Sequence, residues 1–95
     1  MYARVVKGTV KPGQIDEFLH TFQDEVAPEL KAEPGFEQSM VLTDRANDAI
    51  TVVSLFASKA DMDASEPGFR KRVAEVMHHM AAPPEATIFE VALRV

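Results

Sequence analysis

No cysteine occurs in the sequence, which excludes disulfides, thiolate nucleophiles and thiolate metal sites, and fits a cytoplasmic location. No apolar run approaches the roughly 18 residues a membrane-spanning helix needs, and Tyr2-Ala3-Arg4 does not open a signal peptide, so no membrane partner is expected. No low-complexity tract or repeat interrupts the chain, so order is expected except at the ends. Basic charge is also scarce. Ten Lys and Arg stand against fifteen Asp and Glu, a net charge of -5 that repels phosphate backbones, so nucleic acid is not an expected partner. The triplet Arg70-Lys71-Arg72 has no interleaved aromatics and is expected to be a solvated helix face.

What is present is an ordinary globular composition, 46% hydrophobic and 26% charged, over 95 residues expected to form one domain spanning 1–95. A monomer of that size buries only about 60–65% of its unfolded surface, so burial by a partner would add stability. Two Pro-Gly marks divide the first third. Tyr2 to Val10 is rich in β-branched residues and stops at Lys11-Pro12-Gly13, which predicts a first strand. Ile15, Phe18, Leu19, Phe22, Val26 and Leu30 then recur at helical spacing up to Glu33-Pro34-Gly35, with a kink or restart expected at Pro28.

Phe36–Asp44 and Ile50–Ala57 are two β-like runs joined by the polar linker Arg45-Ala46-Asn47-Asp48-Ala49, which predicts an antiparallel hairpin. Ser58 with Asp61 is a capping-box start for a short helix. Glu66-Pro67-Gly68 is expected to break the chain before a second helix carrying Phe69, Val73, Val76, Met77 and Met80 on one face, and Thr87–Val95 to form the last strand. The order β-α-β-β-α-β predicts an α+β, ferredoxin-like fold: a four-stranded antiparallel sheet with its helices on one face. Both faces of that sheet are substantially apolar, with Val6, Val10, Ile50, Val52 and Phe56 on one and Ala3, Val5, Val53, Leu55 and Phe89 on the other. A sheet wet on one side would alternate more cleanly, so a homodimer packed through the sheet face is expected.

The runs VVKGTVKPGQIDEF, PELKAEPGF, MVLTDRA and SLFASKADMDAS resemble the antibiotic biosynthesis monooxygenase (ABM) domain of the dimeric α/β-barrel superfamily, over nearly the whole chain. The resemblance implies a dimer with a pocket in each subunit between helices and sheet. It also implies a cofactor-independent monooxygenase acting on a small aromatic or quinol-like substrate, in which an electron-rich phenol reduces oxygen itself and no cofactor is required. The protein would then supply a dry cavity, orientation, and a group that steadies a phenolic proton. Candidate lining residues are Phe18, Phe22, Met40, Phe56, Phe69 and Met77, for which plain core packing is the simpler explanation. The alternative is a non-catalytic dimeric module, small-ligand-binding or stress-related.

Haem-degrading relatives use a Trp, a first-strand Asn and an iron-binding helical His. The matching positions here hold Phe56, Val6 and a residue near Val73, so haem degradation is disfavoured.

Of three histidines, His20 lies about 140° from Ile15 around the helix and His78 about 180° from Phe69, both away from the apolar stripe. His79 lies near the stripe's edge and is the catalytic candidate. Two adjacent helical histidines point about 100° apart, so no metal site is expected. Arg4, Lys7, Glu90 and Arg94, charges within apolar strands, are expected at strand ends, edges or a cross-subunit ion pair.

Overall fold

A computed structural model describes all 95 residues. Strands β1 (Tyr2–Thr9), β2 (Phe36–Asp44), β3 (Ala49–Phe56) and β4 (Glu85–Glu90) form one antiparallel sheet in the order β2-β3-β1-β4. Helices α1 (Ile15–Thr21), α2 (Ala27–Lys31), α3 (Lys59–Ala64) and α4 (Glu66–Val76) cover one face, giving the ferredoxin-like α+β architecture that the element order predicts. Beneath them lies a core built of Val6, Val10, Ile50, Val52 and Phe56 from the sheet and Ile15, Phe18, Val26, Leu30, Met62 and Val76 from the helices.

Between α1 and α2 the chain makes a π-helical turn, Phe22–Val26, in which the Ala27 N–H donates to the Phe22 carbonyl five residues back. Pro28 has no N–H to offer the Asp24 carbonyl, and the helix widens one turn ahead of it. The restart expected at Pro28 is there, α2 opening at Ala27 with the proline in its first turn, and the irregularity extends back over Phe22–Val26.

Three expectations are corrected. Pro67-Gly68 does not break the chain, because Pro is tolerated in a helix's first turn and α4 begins at Glu66. The last strand starts at Glu85 and stops at Glu90, opposite Tyr2, where β1 runs out of residues to pair; the Val91 N–H goes to the Met1 carbonyl. The basic triplet is not uniformly solvated, since Arg72 is buried while Arg70 and Lys71 are exposed.

Local signals hold where the contacts are local. Ser58 caps α3, accepting from the Asp61 N–H at 3.1 Å while its hydroxyl donates to Asp61 Oδ2 at 2.9 Å. Gly35 has φ +75° and presses against the Asp61 side chain, so a Cβ there meets both left-handed strain and a steric block. Gly35→Ala is expected to cost at least the ~1–2 kcal/mol of left-handed strain, read as a lower urea midpoint with unchanged slope.

Candidate functional site

The register puts Arg4 of β1 between Ser54 of β3 and Ile88 of β4, and Ser54 beside Ser39 of β2. This row crosses the sheet on its helix-covered face and interrupts an otherwise apolar floor with one guanidinium and two hydroxyls. Ser39 and Ser54 hydrogen-bond to each other through their hydroxyls at 2.9 Å. Above the Arg4 end of the row is a cavity of about 60 Å³, closed by Phe18, Phe22, Val26 and Leu30 from the first helical segment and by Phe69, Arg72, Val73 and Val76 from α4. Phe22 and Leu30 also wall a neighbouring hollow of about 260 Å³ that runs out along β2 past Phe36, Gln38 and Ser39. Phe22 opens the π turn, a feature often found at functional positions. Its side chain and that of Leu30 stand between the two spaces.

Arg4 is 3% exposed and held on three sides. Its Nη1 donates to Ser65 Oγ at 3.2 Å, its Nη2 pairs with Glu66 Oε2 at 3.1 Å, and its Cζ lies 4.3 Å from the centre of the Phe69 ring. Ser65 passes its own proton to the Met62 carbonyl at 2.7 Å, so the hydroxyl is fixed as an acceptor for Arg4. Burial pulls the Arg4 pKa below its ordinary value; Glu66 opposes that and Arg72 adds to it. The expectation that Arg4 marks a strand end or edge is corrected: it sits inside a central strand, facing the helices.

Arg72 is the second buried cation, 5% exposed, and lines the same cavity from α4. Its Nη1 has one long bond, 3.4 Å to Glu33 Oε1, and its Nη2 has no partner. Helical phase alone could have found it, because Arg72 falls three residues after Phe69 and four before Val76 on the inward stripe.

Phe18, Phe22 and Phe69 line the cavity. Met40, Phe56 and Met77 lie off its wall, for different reasons. A bulge at Glu37 shifts the β2 register between Phe36 and Gln38, so Met40 pairs with Val53 in an outward row while Ser39 and Val41 turn inward. Phe56 is sealed under the sheet's end against Phe36, ring centres 5.8 Å apart and edge-on. Met77 begins the 3-10 turn after α4.

His79 does not line the cavity either. It lies in that turn, 7% exposed, with Nε2 2.8 Å from Thr21 Oγ and Nδ1 3.0 Å from Gln14 Oε1. With Nδ1 protonated, the Gln14 oxygen accepts from the ring and the Thr21 hydroxyl donates to Nε2. Both nitrogens of the neutral ring are thereby satisfied, and the turn is tied to α1.

Burial, then His78, pushes the His79 pKa below the ordinary histidine value. The unfolded chain therefore takes up this proton first. Stability present above about pH 6.5 is lost as pH falls from there toward the folded-state pKa. The thermal midpoint is expected to drop between neutral pH and about pH 5, and His79→Gln to flatten that drop.

No cluster of three or more His, Cys, Asp and Glu side chains is arranged to hold a metal ion. The site is thus an apolar chamber with hydroxyls and a guanidinium on its floor and a second guanidinium on its wall. Such a site can exclude water, orient a small ring and donate hydrogen bonds to its oxygen substituents.

The family model of antibiotic biosynthesis monooxygenases matches residues 1–67. The chain belongs to the antibiotic biosynthesis monooxygenase family. The match carries β1 through α3, which is the floor of the site and its first helical wall. Solved structures extend the likeness over the whole ABM fold. A variant of SnoaB, a cofactor-independent oxygenase from Streptomyces nogalater, superposes with a TM-score of 0.81 at 18% identity, covering 99% of this chain and 95% of that one. The ActVA-Orf6 monooxygenase of Streptomyces coelicolor, solved with Nanaomycin D, gives 0.81 at 14% identity over 99% and 89%. Rv0793 from Mycobacterium tuberculosis gives 0.74 at 14% identity over 98% and 96%. At such identities the likeness speaks for the ABM fold alone. No curated protein matches the chain by sequence. No helix of the protein is long and apolar enough to cross a membrane.

Proposed function

We propose that this ABM-family protein is a cytoplasmic, cofactor-independent monooxygenase that oxidises a small aromatic or quinol-like substrate in the chamber between helices and sheet. The observation that carries this is the polar row Arg4–Ser54–Ser39 under an apolar, helix-roofed cavity. A quinol is electron-rich enough to reduce oxygen directly, so the protein's task is to bind it dry and hold its oxygens. The chamber supplies the apolar walls, and the floor supplies donors to a developing phenolate. The balance is that of a monooxygenase: one oxygen atom enters the ring carbon as a carbonyl or hydroxyl, the other leaves as water, and the substrate gives up the electrons. The fold likeness to SnoaB and to ActVA-Orf6 supports the same class of reaction.

The test is turnover of a dihydroxynaphthalene under isotopically heavy oxygen. Enzymatic product should carry one heavy atom, at a rate proportional to protein concentration. Unlabelled naphthoquinone and hydrogen peroxide formed at a protein-independent rate, the outcome of simple autoxidation, would refute the proposal. A non-catalytic small-ligand-binding module is the alternative, and in either case the inner cavity of about 60 Å³ is well below the roughly 150 Å³ that admits a benzene ring. Ring binding then depends on Phe22 giving way.

The working unit in this proposal is a homodimer joined through the outer sheet face. Val5, Val53 and Met40 pair across three strands there, flanked by exposed Leu42 and Phe89. Contiguous apolar side chains in that arrangement favour a covered surface. Light scattering after size exclusion is expected to give twice the 10.5 kDa chain mass at micromolar concentration, and Val53→Asp to return the monomer mass.

A further inference from the structure

Arg72 is the group the chamber leaves unfinished. Its guanidinium has five donors, yet its Nη1 makes one 3.4 Å contact and its Nη2 makes none, in a side chain 5% exposed. Bulk solvent does not touch that nitrogen, and an unmet charged donor is among the costlier defects a small domain can carry. A second cation, Arg4, lines the same cavity, and Arg72 is near enough to disfavour its charge. They are the only charged residues on the cavity wall, in a protein whose net charge is -5. Their carboxylate partners, Glu33 and Glu66, lie outside the wall and reach solvent. An apolar chamber lined by two cations, one with an open donor, is complementary to an acid with an apolar body.

We propose that the ligand of this chamber carries a carboxylate that accepts from the unpartnered Nη2 of Arg72, with Arg4, on the same cavity, stabilising the charge. This rests on the chamber being the ligand site and narrows its substrate class to aromatic or quinol-like acids. The ring lies toward Phe22 and the second hollow, where the 260 Å³ beside β2 has the room that the inner cavity lacks. The acid group takes the inner end. A neutral isostere of the carboxylate keeps the ring contacts and loses the charge-assisted bonds, so the comparison reads recognition of the charge and the Arg72→Gln variant assigns the share of Arg72.

The probes are benzoate and benzamide, titrated against the intact protein by calorimetry or by proton–nitrogen NMR shifts. Benzoate is expected to bind roughly ten- to a hundredfold more tightly than benzamide. Arg72→Gln should bring the two affinities together without loss of benzamide binding, whereas Lys71→Gln, its exposed neighbour, should leave the preference intact. Equal binding of the two probes to the unaltered protein overturns the proposal, and that result needs no variant to fold. So does a Lys71→Gln protein that loses the preference as fully as Arg72→Gln does. A quinol oxygenated by a protein indifferent to the acid group would leave the monooxygenase assignment standing and remove this one. Selective benzoate binding without oxygenation would do the reverse.

Discussion

Phe56→Ala is expected to lower the free energy of unfolding by about 3–5 kcal/mol, the usual cost of emptying an aromatic site in a core. Phe56 is 0% exposed, stacks edge-on against Phe36 and lies opposite Tyr2 on the neighbouring central strand, so two aromatic neighbours lose a partner when its ring is removed. The sheet holds the surrounding backbone in register on both sides, leaving little room for the hole to collapse. Domains of this length have about 5–14 kcal/mol in total, so the loss takes a large share of the whole. Urea unfolding followed by circular dichroism measures it. A loss below about 1 kcal/mol, typical of surface substitutions, would mean that the site repacks. Because Phe56 is off the chamber wall, any residual activity of the folded fraction should keep an unchanged KM.

Glu66→Gln is expected to destabilise by about 1–3 kcal/mol, more than Arg4→Met does, although the two side chains form one pair. The asymmetry comes from burial. Arg4 is 3% exposed, so Glu66→Gln leaves a buried cation with only neutral partners, the new amide, Ser65 and the Phe69 ring. Glu66 is 41% exposed, so removing the arginine leaves a carboxylate that water solvates. Water at the Glu66 end also keeps the cost below the ~3–5 kcal/mol of a fully enclosed pair. The double variant Arg4→Met with Glu66→Gln should be more stable than Glu66→Gln alone, a positive coupling that a mutant cycle reads directly. Equal losses in the two single variants would mean that the pair is screened throughout.

Much of the scaffold is legible along the chain because it is made of short-range signals. Pro12-Gly13 and Pro34-Gly35 end elements through backbone geometry, Ser58 caps α3 through a neighbour three residues away, and the alternation in β1 and β3 states which side chains share a face. The ABM resemblance extends the same information, since a family pattern is a set of local choices made consistently. Failures of sequence reasoning fall where one residue changes a phase. The bulge at Glu37 reverses the parity of β2 and sends Met40 outward and Ser39 inward. The restart at Pro28 is legible, but the π turn at Phe22–Val26 that precedes it is not.

The site shows the same division more sharply. Its aromatic walls, Phe18, Phe22 and Phe69, follow from helical spacing, because an apolar stripe must face the sheet. Its charges do not. Arg4 and Arg72 read as strand-edge and surface residues, since most arginines are exposed and nothing in one dimension states that Glu66 lies 62 positions from Arg4 in the chain yet 3.1 Å away in space. His79 is the converse case, a residue whose type suggested chemistry and whose surroundings make it a brace between Gln14 and Thr21. Composition and local periodicity are thus sufficient for the elements, their order and the two apolar faces of the sheet. The chamber and its pair of buried guanidinium groups exist only once β1, β3 and α4 are brought together, because burial and charge pairing depend on contacts between residues distant in the chain.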